Sequence, residues 1–136
     1  MVDVWWGIVE RKAPGDYDFA AYSSLFEKIG AAGLQLQAVM SFHAAGSNVG
    51  DTCTISLPSW VHDVGDRNAD IFFTDRGGVR NRECISVACA EEPVFWGHTP
   101  LQVYEAFVRR FCDEFEHLFG AHSILLWTAV SELPHV

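Results

Sequence analysis

Two short segments carry the residue types with the most chemistry in them: Asp3-Val4-Trp5-Trp6-Gly7 and Ser41-Phe42-His43-Ala44-Ala45-Gly46-Ser47-Asn48-Val49-Gly50-Asp51. Together they supply carboxylates, an imidazole, indole faces and a glycine-bearing loop. Carboxylates accept hydrogen bonds from hydroxyl groups, and aromatic faces cover apolar ring faces. That combination suits an uncharged, polyhydroxylated ligand such as a sugar. Each residue also has a structural reading. An acid at position 3 can be satisfied by backbone or arginine, and a histidine at 43 can be a hydrogen-bonded core residue. For Trp5 and Trp6 the alternative is core packing, since successive strand residues point to opposite faces.

These residues need elements to hold them. Residues 1–6 read as a buried strand, short and β-branched around one acid. Residues 7–17 read as a loop turned at Pro14-Gly15. Asp18 can cap a helix in which Phe19, Tyr22, Leu25, Phe26 and Ile29 recur at helical spacing, with Gly33 as its stop. Residues 34–42 form a second apolar strand, so His43 falls at its carboxyl end. In parallel α/β folds that is where ligands sit.

After the glycine-bearing loop, Leu57-Pro58-Ser59-Trp60-Val61 opens a short helix ending near Gly65. Residues 71–74 and 84–87 flank the turn Asp75-Arg76-Gly77-Gly78 and suggest a hairpin. Arg80-Asn81-Arg82-Glu83 reads as a solvated charge cluster. Glu91-Glu92 are surface acids rather than a catalytic pair, because neighbours on an extended chain point apart. Thr99-Pro100-Leu101-Gln102 is a capping box with proline at the first helical position. Leu101, Tyr104, Val108, Phe111, Phe115 and Leu118 form that helix's apolar face, and residues 124–130 a third strand. The order is α/β. Three parallel strands cannot close a barrel, so the sheet is expected to be open, with exposed edges, or part of something larger.

The chain has 136 residues, 49% of them hydrophobic, which is enough for a sizeable core. Its 9 Lys and Arg against 18 Asp and Glu give a net charge of -9. This excludes a nucleic-acid partner on electrostatic grounds and disfavours an anionic membrane surface. No run of about 18 apolar residues exists that would span a bilayer. Cys53, Cys84, Cys89 and Cys112 lack metal-ligand spacing and read as ordinary thiols. The start inside a strand suggests a fragment of a longer protein, with no secretory leader visible.

The stretch Asp3-Val4-Trp5-Trp6-Gly7-Ile8-Val9-Glu10, then Leu36 to His43, Asn48-Val49-Gly50-Asp51, Asp70 to Arg76 and Arg80-Asn81 closely resembles plant β-amylase. The resemblance runs in order from Met1 to about Gly120. It implies a partial (β/α)8 TIM barrel, open in this chain, covering roughly barrel strands two to four. Residues 1–120 would be the barrel portion and 121–136 a divergent tail. The family reaction it implies is removal of maltose from the non-reducing ends of α-1,4-glucans with inversion. Asp3, His43 and Asp51 match family residues that bind terminal glucose units. Gly46, Ser47, Asn48, Val49 and Gly50 match a lid whose closure excludes water. The implied partner is an α-1,4-glucan or maltose. No cofactor and no metal is implied, calcium included, and neither oligomeric state nor a choice between plastid and cytoplasm follows.

Departures from the family pattern shape the expectation. The family lid reads His-x-Cys-Gly-Gly-Asn-Val-Gly-Asp, whereas here Ala45 replaces the cysteine and Ser47 one glycine. Inverting hydrolysis needs two carboxyls about 6.5–9.5 Å apart. The family acid lies in Gly-Glu-Leu-Arg-Tyr-Pro-Ser-Tyr, which only Ser131-Glu132-Leu133 faintly echoes, and the base comes later than this chain extends. The expectation is therefore a sugar-binding wall without a complete catalytic pair. The alternative is a non-catalytic, glucan-sensing or regulatory relative.

Overall fold

The computed structural model describes residues 1–47 and 49–119, together with the strand at 125–129 as backbone. Asn48, residues 120–124 and residues 130–136 lie outside the described residues, Glu132 among them. Three strands, β1 (Val2–Trp5), β2 (Gln37–Ser41) and β5 (Leu125–Ala129), form one parallel sheet in the order β1-β2-β5. Asp3 pairs with Val39 and Trp5 with Ser41, while Ala38 faces Leu126 and Met40 faces Thr128. Helices α2 (Ala20–Ala31) and α4 (Pro100–Phe115) make the two crossovers. The architecture is α/β, and the sheet is not closed.

Alternation along the strands separates two faces. Val4, Ala38 and Met40 are fully buried and share one core with Phe26 of α2 and Phe107, Phe111 and Phe115 of α4. On the other face Asp3, Trp5, Gln37 and Val39 are only half-buried. The apolar runs pointed to strands buried on both sides, but within the described residues only one face is covered by helices. That uncovered face carries Asp3 and Trp5.

The helix core is aromatic. Phe26 and Phe115 rings lie 4.9 Å apart, Phe111 and Phe115 4.9 Å, and Phe19 and Phe115 5.6 Å. Offset or edge-on ring pairs at such distances add to the area burial of each side chain. Thr99 caps α4 as expected: its hydroxyl accepts from Gln102 N at 3.2 Å, and the Gln102 side chain accepts from Thr99 N at 2.9 Å. Asp18 also serves the start of α2, its carboxylate accepting from Ala20 N at 3.0 Å. Gly33 lies just past the end of that helix.

Several expectations shift. Residues Trp6–Val9 form a single helical turn, α1, where Trp6 was expected to end the strand and residues 7–9 to begin a loop. Leu25 and Leu101 are exposed despite their helical spacing, and Phe107, which was not on the expected face of α4, is buried with Phe111 and Phe115. Helix α3 runs Ser59–Arg67, slightly beyond Gly65. The hairpin exists as β3 (Phe72–Thr74) and β4 (Arg80–Ile85), so its second arm begins earlier than expected. The Arg80 to Glu83 charge cluster is therefore strand. Arg80 pairs with Asp70 at 2.7 Å and Arg82 with Asp66 at 2.6 Å, tying the hairpin to the end of α3. Arg82 also lies over the Phe72 ring at 4.8 Å. None of the four cysteines is in a disulfide, and Glu91 and Glu92 are exposed as expected.

The contrast between buried Phe111 and exposed Leu101 gives a direct test. Phe111→Ala should lower the unfolding free energy by about 3–5 kcal/mol, the range for deleting a buried ring. Leu101→Ala should change it by less than about 0.5 kcal/mol, as an exposed substitution does. Urea denaturation of both variants reads the difference.

Candidate functional site

The end of β1 is held from three directions. Ser41 Oγ donates to Asp3 Oδ1 at 2.9 Å, across the strand pair. The Tyr22 hydroxyl donates to Asp3 O at 3.0 Å, and the Tyr22 hydroxyl oxygen in turn accepts from Trp5 N at 2.9 Å. Tyr22 thus bridges two backbone groups on the outer edge of β1. Burial pushes its phenol up, and the nearby Asp3 charge adds to the effect, so it stays protonated as a donor.

Trp5 and Trp6 part company at the strand's end. The Trp5 ring turns to His43 on the neighbouring strand's carboxyl end, centroids 5.1 Å apart and 64° from parallel. Trp6 enters the core, fully buried, edge-on to Trp60 at 5.3 Å and Tyr104 at 5.3 Å. One indole is structural and the other faces the candidate site.

Glu10 anchors this arrangement. Only 1% exposed, its carboxylate accepts from Trp6 Nε1 at 2.7 Å and from Gly15 N at 2.6 Å. Its backbone carbonyl accepts from Trp60 Nε1 at 2.9 Å, which docks α3 against α1. Burial raises the Glu10 carboxyl above the ordinary carboxylate range, against the lowering effect of the Gly15, Trp6 and Tyr17 hydrogen bonds. Burial, then the charge of Glu10 and the hydrogen bond to it, push the Tyr17 phenol up to about 12.

The loop after β2 is pinned at its root. Ala44 N donates to Glu83 O of β4 at 2.7 Å, and Ala45 and Ile55 exchange two backbone bonds at 2.8 and 2.9 Å. Gly46 has φ +117°, and a side chain there would meet Thr54 within 3.0 Å. Gly46 N donates to Asp51 Oδ2 at 2.8 Å. The returning strand of the loop crosses Gly7 so closely that a Cβ would lie 1.7 Å from Ser56 O. Ser47, Val49, Gly50 and Asp51 are exposed.

Of the expected site residues, Asp3 lies within β1 and its carboxylate reaches Ser41 at the end of β2, while His43 follows β2 and meets the ring of Trp5 at the end of β1. Asp51 stands apart in the exposed loop, its carboxylate turned to Gly46. Asn48 and Glu132 lie outside the described residues. His43 Nδ1 is buried without a hydrogen-bond partner among the described residues, as is Glu83 Oε1. No group of three or more His, Cys, Asp or Glu among the described residues could hold a metal ion. No helix among them is long and apolar enough to cross a membrane.

Sequence reasoning did not single out Ser41, Tyr22 or Glu10. Tyr22 carried a signal: a tyrosine on an apolar helix face brings a hydroxyl that needs a partner when buried. Glu10, an acid closing an apolar run, carried another.

The sequence profile described as glycosyl hydrolase family 14 matches residues 1–132. The chain belongs to glycosyl hydrolase family 14. The β-amylase of Medicago sativa is 45% identical over 125 residues, covering 92% of this chain and 25% of that protein. β-Amylase 1, chloroplastic, of Arabidopsis thaliana is 49% identical over 120 residues, covering 88% and 21%. Among solved structures, the catalytic domain of β-amylase from Paenibacillus polymyxa superposes with a TM-score of 0.71 at 32% identity, covering 91% of this chain and 28% of that one. The chain spans about a quarter of the length of the curated relatives it matches.

The anchoring role of Glu10 in this family 14 chain predicts a pH signature. Glu10→Gln places an amide hydrogen against one of two fixed donors and should cost about 1–3 kcal/mol. Because the folded pKa is raised, the folded state holds the Glu10 proton to higher pH than the unfolded chain does. Stability from this group is therefore gained as pH falls through the folded pKa, and is complete below the unfolded value. The wild-type advantage over Glu10→Gln should widen on acidification across that window. Urea midpoints of both chains across the acid range test it, and a narrowing gap contradicts it.

Proposed function

We propose that this chain forms part of the wall of a β-amylase-type (β/α)8 barrel and holds the terminal glucose units of an α-1,4-glucan. The observation that carries this reading is the pairing of the Trp5 ring with His43 at the carboxyl ends of two adjacent parallel strands, with the Asp3 carboxylate bonded to Ser41 at the end of β2. In a parallel barrel that rim is the place of the active site. Family membership supports the glucan as substrate class and glycoside hydrolysis as the reaction of the whole enzyme.

The residues divide the work. Asp3, fixed by Ser41 and Tyr22, accepts hydrogen bonds from sugar hydroxyls. The half-buried His43 imidazole offers a hydrogen-bonding group to another hydroxyl, and the Trp5 ring against it gives an apolar face. The loop carrying Gly46, Ser47, Asn48, Val49, Gly50 and Asp51 acts as a lid, rotating about its pinned root at Ala45–Ile55. Closing would bring Asp51 to the sugar and release Gly46 N. The net charge of -9 favours a neutral ligand over phosphorylated or nucleic-acid ones.

Hydrolysis with inversion requires two carboxyls set about 6.5–9.5 Å apart across the scissile bond. Asp3 and Asp51 are binding groups in this reading. Glu132 lacks the family's Arg-Tyr-Pro-Ser context, residues 121–136 form a tail of divergent sequence, and the second carboxylate belongs to a later part of the family's chain. The 136-residue chain therefore binds and does not cleave. A second reading is a non-catalytic, glucan-sensing protein, and the observation favouring it is the altered lid, with Ala45 and Ser47 in place of cysteine and glycine.

Both halves can be measured. Calorimetric titration with maltose should show saturable binding, weakened about tenfold in Asp51→Ala, as expected for losing one charged hydrogen bond. A reducing-sugar assay on soluble starch should show no maltose release. Release that disappears in Asp51→Ala contradicts the inactive reading, and an absence of maltose binding contradicts the sugar site.

A further inference from the structure

Trp96 is an outlier in two independent respects. It is 59% exposed, although it belongs to the largest apolar side chains. It also has φ +50°, the one non-glycine residue with positive φ among those described. A bulky side chain in that region is strained, and such strain concentrates at sites that use it.

The turn explains the geometry but not the residue. Phe95 and His98 exchange backbone hydrogen bonds, each at 3.0 Å, around the two-residue tip Trp96-Gly97. Gly97 has φ +89°, so both tip residues are left-handed, as in a type I′ hairpin turn. Asn-Gly is the favoured pair there. This chain places the largest side chain where a small polar one would fit the backbone better.

What Trp96 rests on is the aromatic cluster behind the candidate site. Its ring lies 6.0 Å from Trp60, tilted by 49°. Trp60 lies 5.2 Å from Phe95 and 5.3 Å from Trp6, the residue beside Trp5. Trp60 is itself fixed through its indole to Glu10 O. The turn precedes Thr99, the cap of α4, so it belongs to the strand-to-helix connection on the same side as the carboxyl ends of β1 and β2.

We propose that Trp96 is an aromatic platform for a neutral glucan chain, a contact separate from the Asp3, His43 and Asp51 site. An exposed indole, backed by a rigid second indole, presents a flat apolar face of the size of a sugar ring. Glu91 and Glu92, exposed close by in sequence, favour an uncharged ligand over an anionic one. The choice of glucan rests on the function proposed above. The position of the platform does not.

The turn supplies its own control. Trp96→Asn creates the preferred Asn-Gly tip, so it removes the platform while keeping or raising the melting temperature. Affinity electrophoresis of the 136-residue chain in gels containing amylose reads the polymer contact, and maltose titration reads the other site. Trp96→Asn should weaken amylose retardation about five- to tenfold, the size of one aromatic contact, and leave maltose binding unchanged. Trp96→Tyr should restore most of the retardation. Unretarded wild type, unchanged retardation in Trp96→Asn, or a loss that tracks a falling melting temperature overturns the proposal. So does a change in oligomeric state with retardation intact, which would mark Trp96 as a protein contact. Retardation that depends on Trp96 in a chain that binds no maltose would keep the platform and reject the Asp3, His43 and Asp51 site.

Discussion

Glu10 is an acid inside an aromatic core, and its carboxylate accepts hydrogen bonds from the Trp6 indole and the Gly15 amide. Its carbonyl takes the Trp60 indole as well. An acid at 1% exposure costs several kcal/mol unless its lone pairs are filled, on the scale for buried charges. Here they are filled by donors from different segments. Those segments can satisfy Glu10 only in one mutual arrangement, and that arrangement sets where β1 ends. Once Trp6 is committed inward, Trp5 is left on the opposite side, against His43.

The same economy governs the sheet. Parallel pairing of β1 with β2 puts Asp3, Trp5 and Ser41 on one face and Val4 and Met40 on the other. Helices α2 and α4 cover the second face with interlocked rings. The first face stays half-open, lined with an acid, a hydroxyl and an indole. A sheet with one dry face and one wet, polar face is poised to bind something at its strand ends. In the proposed reading this half-open face, with Asp3, Trp5 and Ser41, is the part of the chain that recognises a glucan.

Much of this was legible in the residues. Element order followed from periodicity, and the capping box at Thr99 marked α4 without ambiguity. The failures have physical causes. Periodicity places Leu25 and Leu101 on apolar faces, but the covered stripe is narrower because each helix meets only one side of a small sheet. The helical turn at Trp6–Val9 was not legible, Trp6 reading as strand and residues 7–9 as loop, because four residues cannot display a helical period. The Arg80 to Glu83 stretch looked like a solvated cluster, since charge masks strand pairing at an exposed edge. In the candidate site, Asp3, His43 and the glycine loop were visible from residue type and spacing. Ser41 and Tyr22 were not, because their roles depend on register and on a helix folding back across 17 to 38 residues.

A sugar docked as proposed, where β1 and β2 end and beneath the loop that carries Asp51, can be followed through amide and indole resonances of the 15N-labelled chain in a maltose titration. Docking there gives saturable shifts at the Trp5 indole, His43, Gly46 and Asp51, with the buried Trp6 indole staying bonded to Glu10 and nearly still. Shifts absent from Trp5 and His43 at saturating maltose, or confined to another part of the chain, would contradict it.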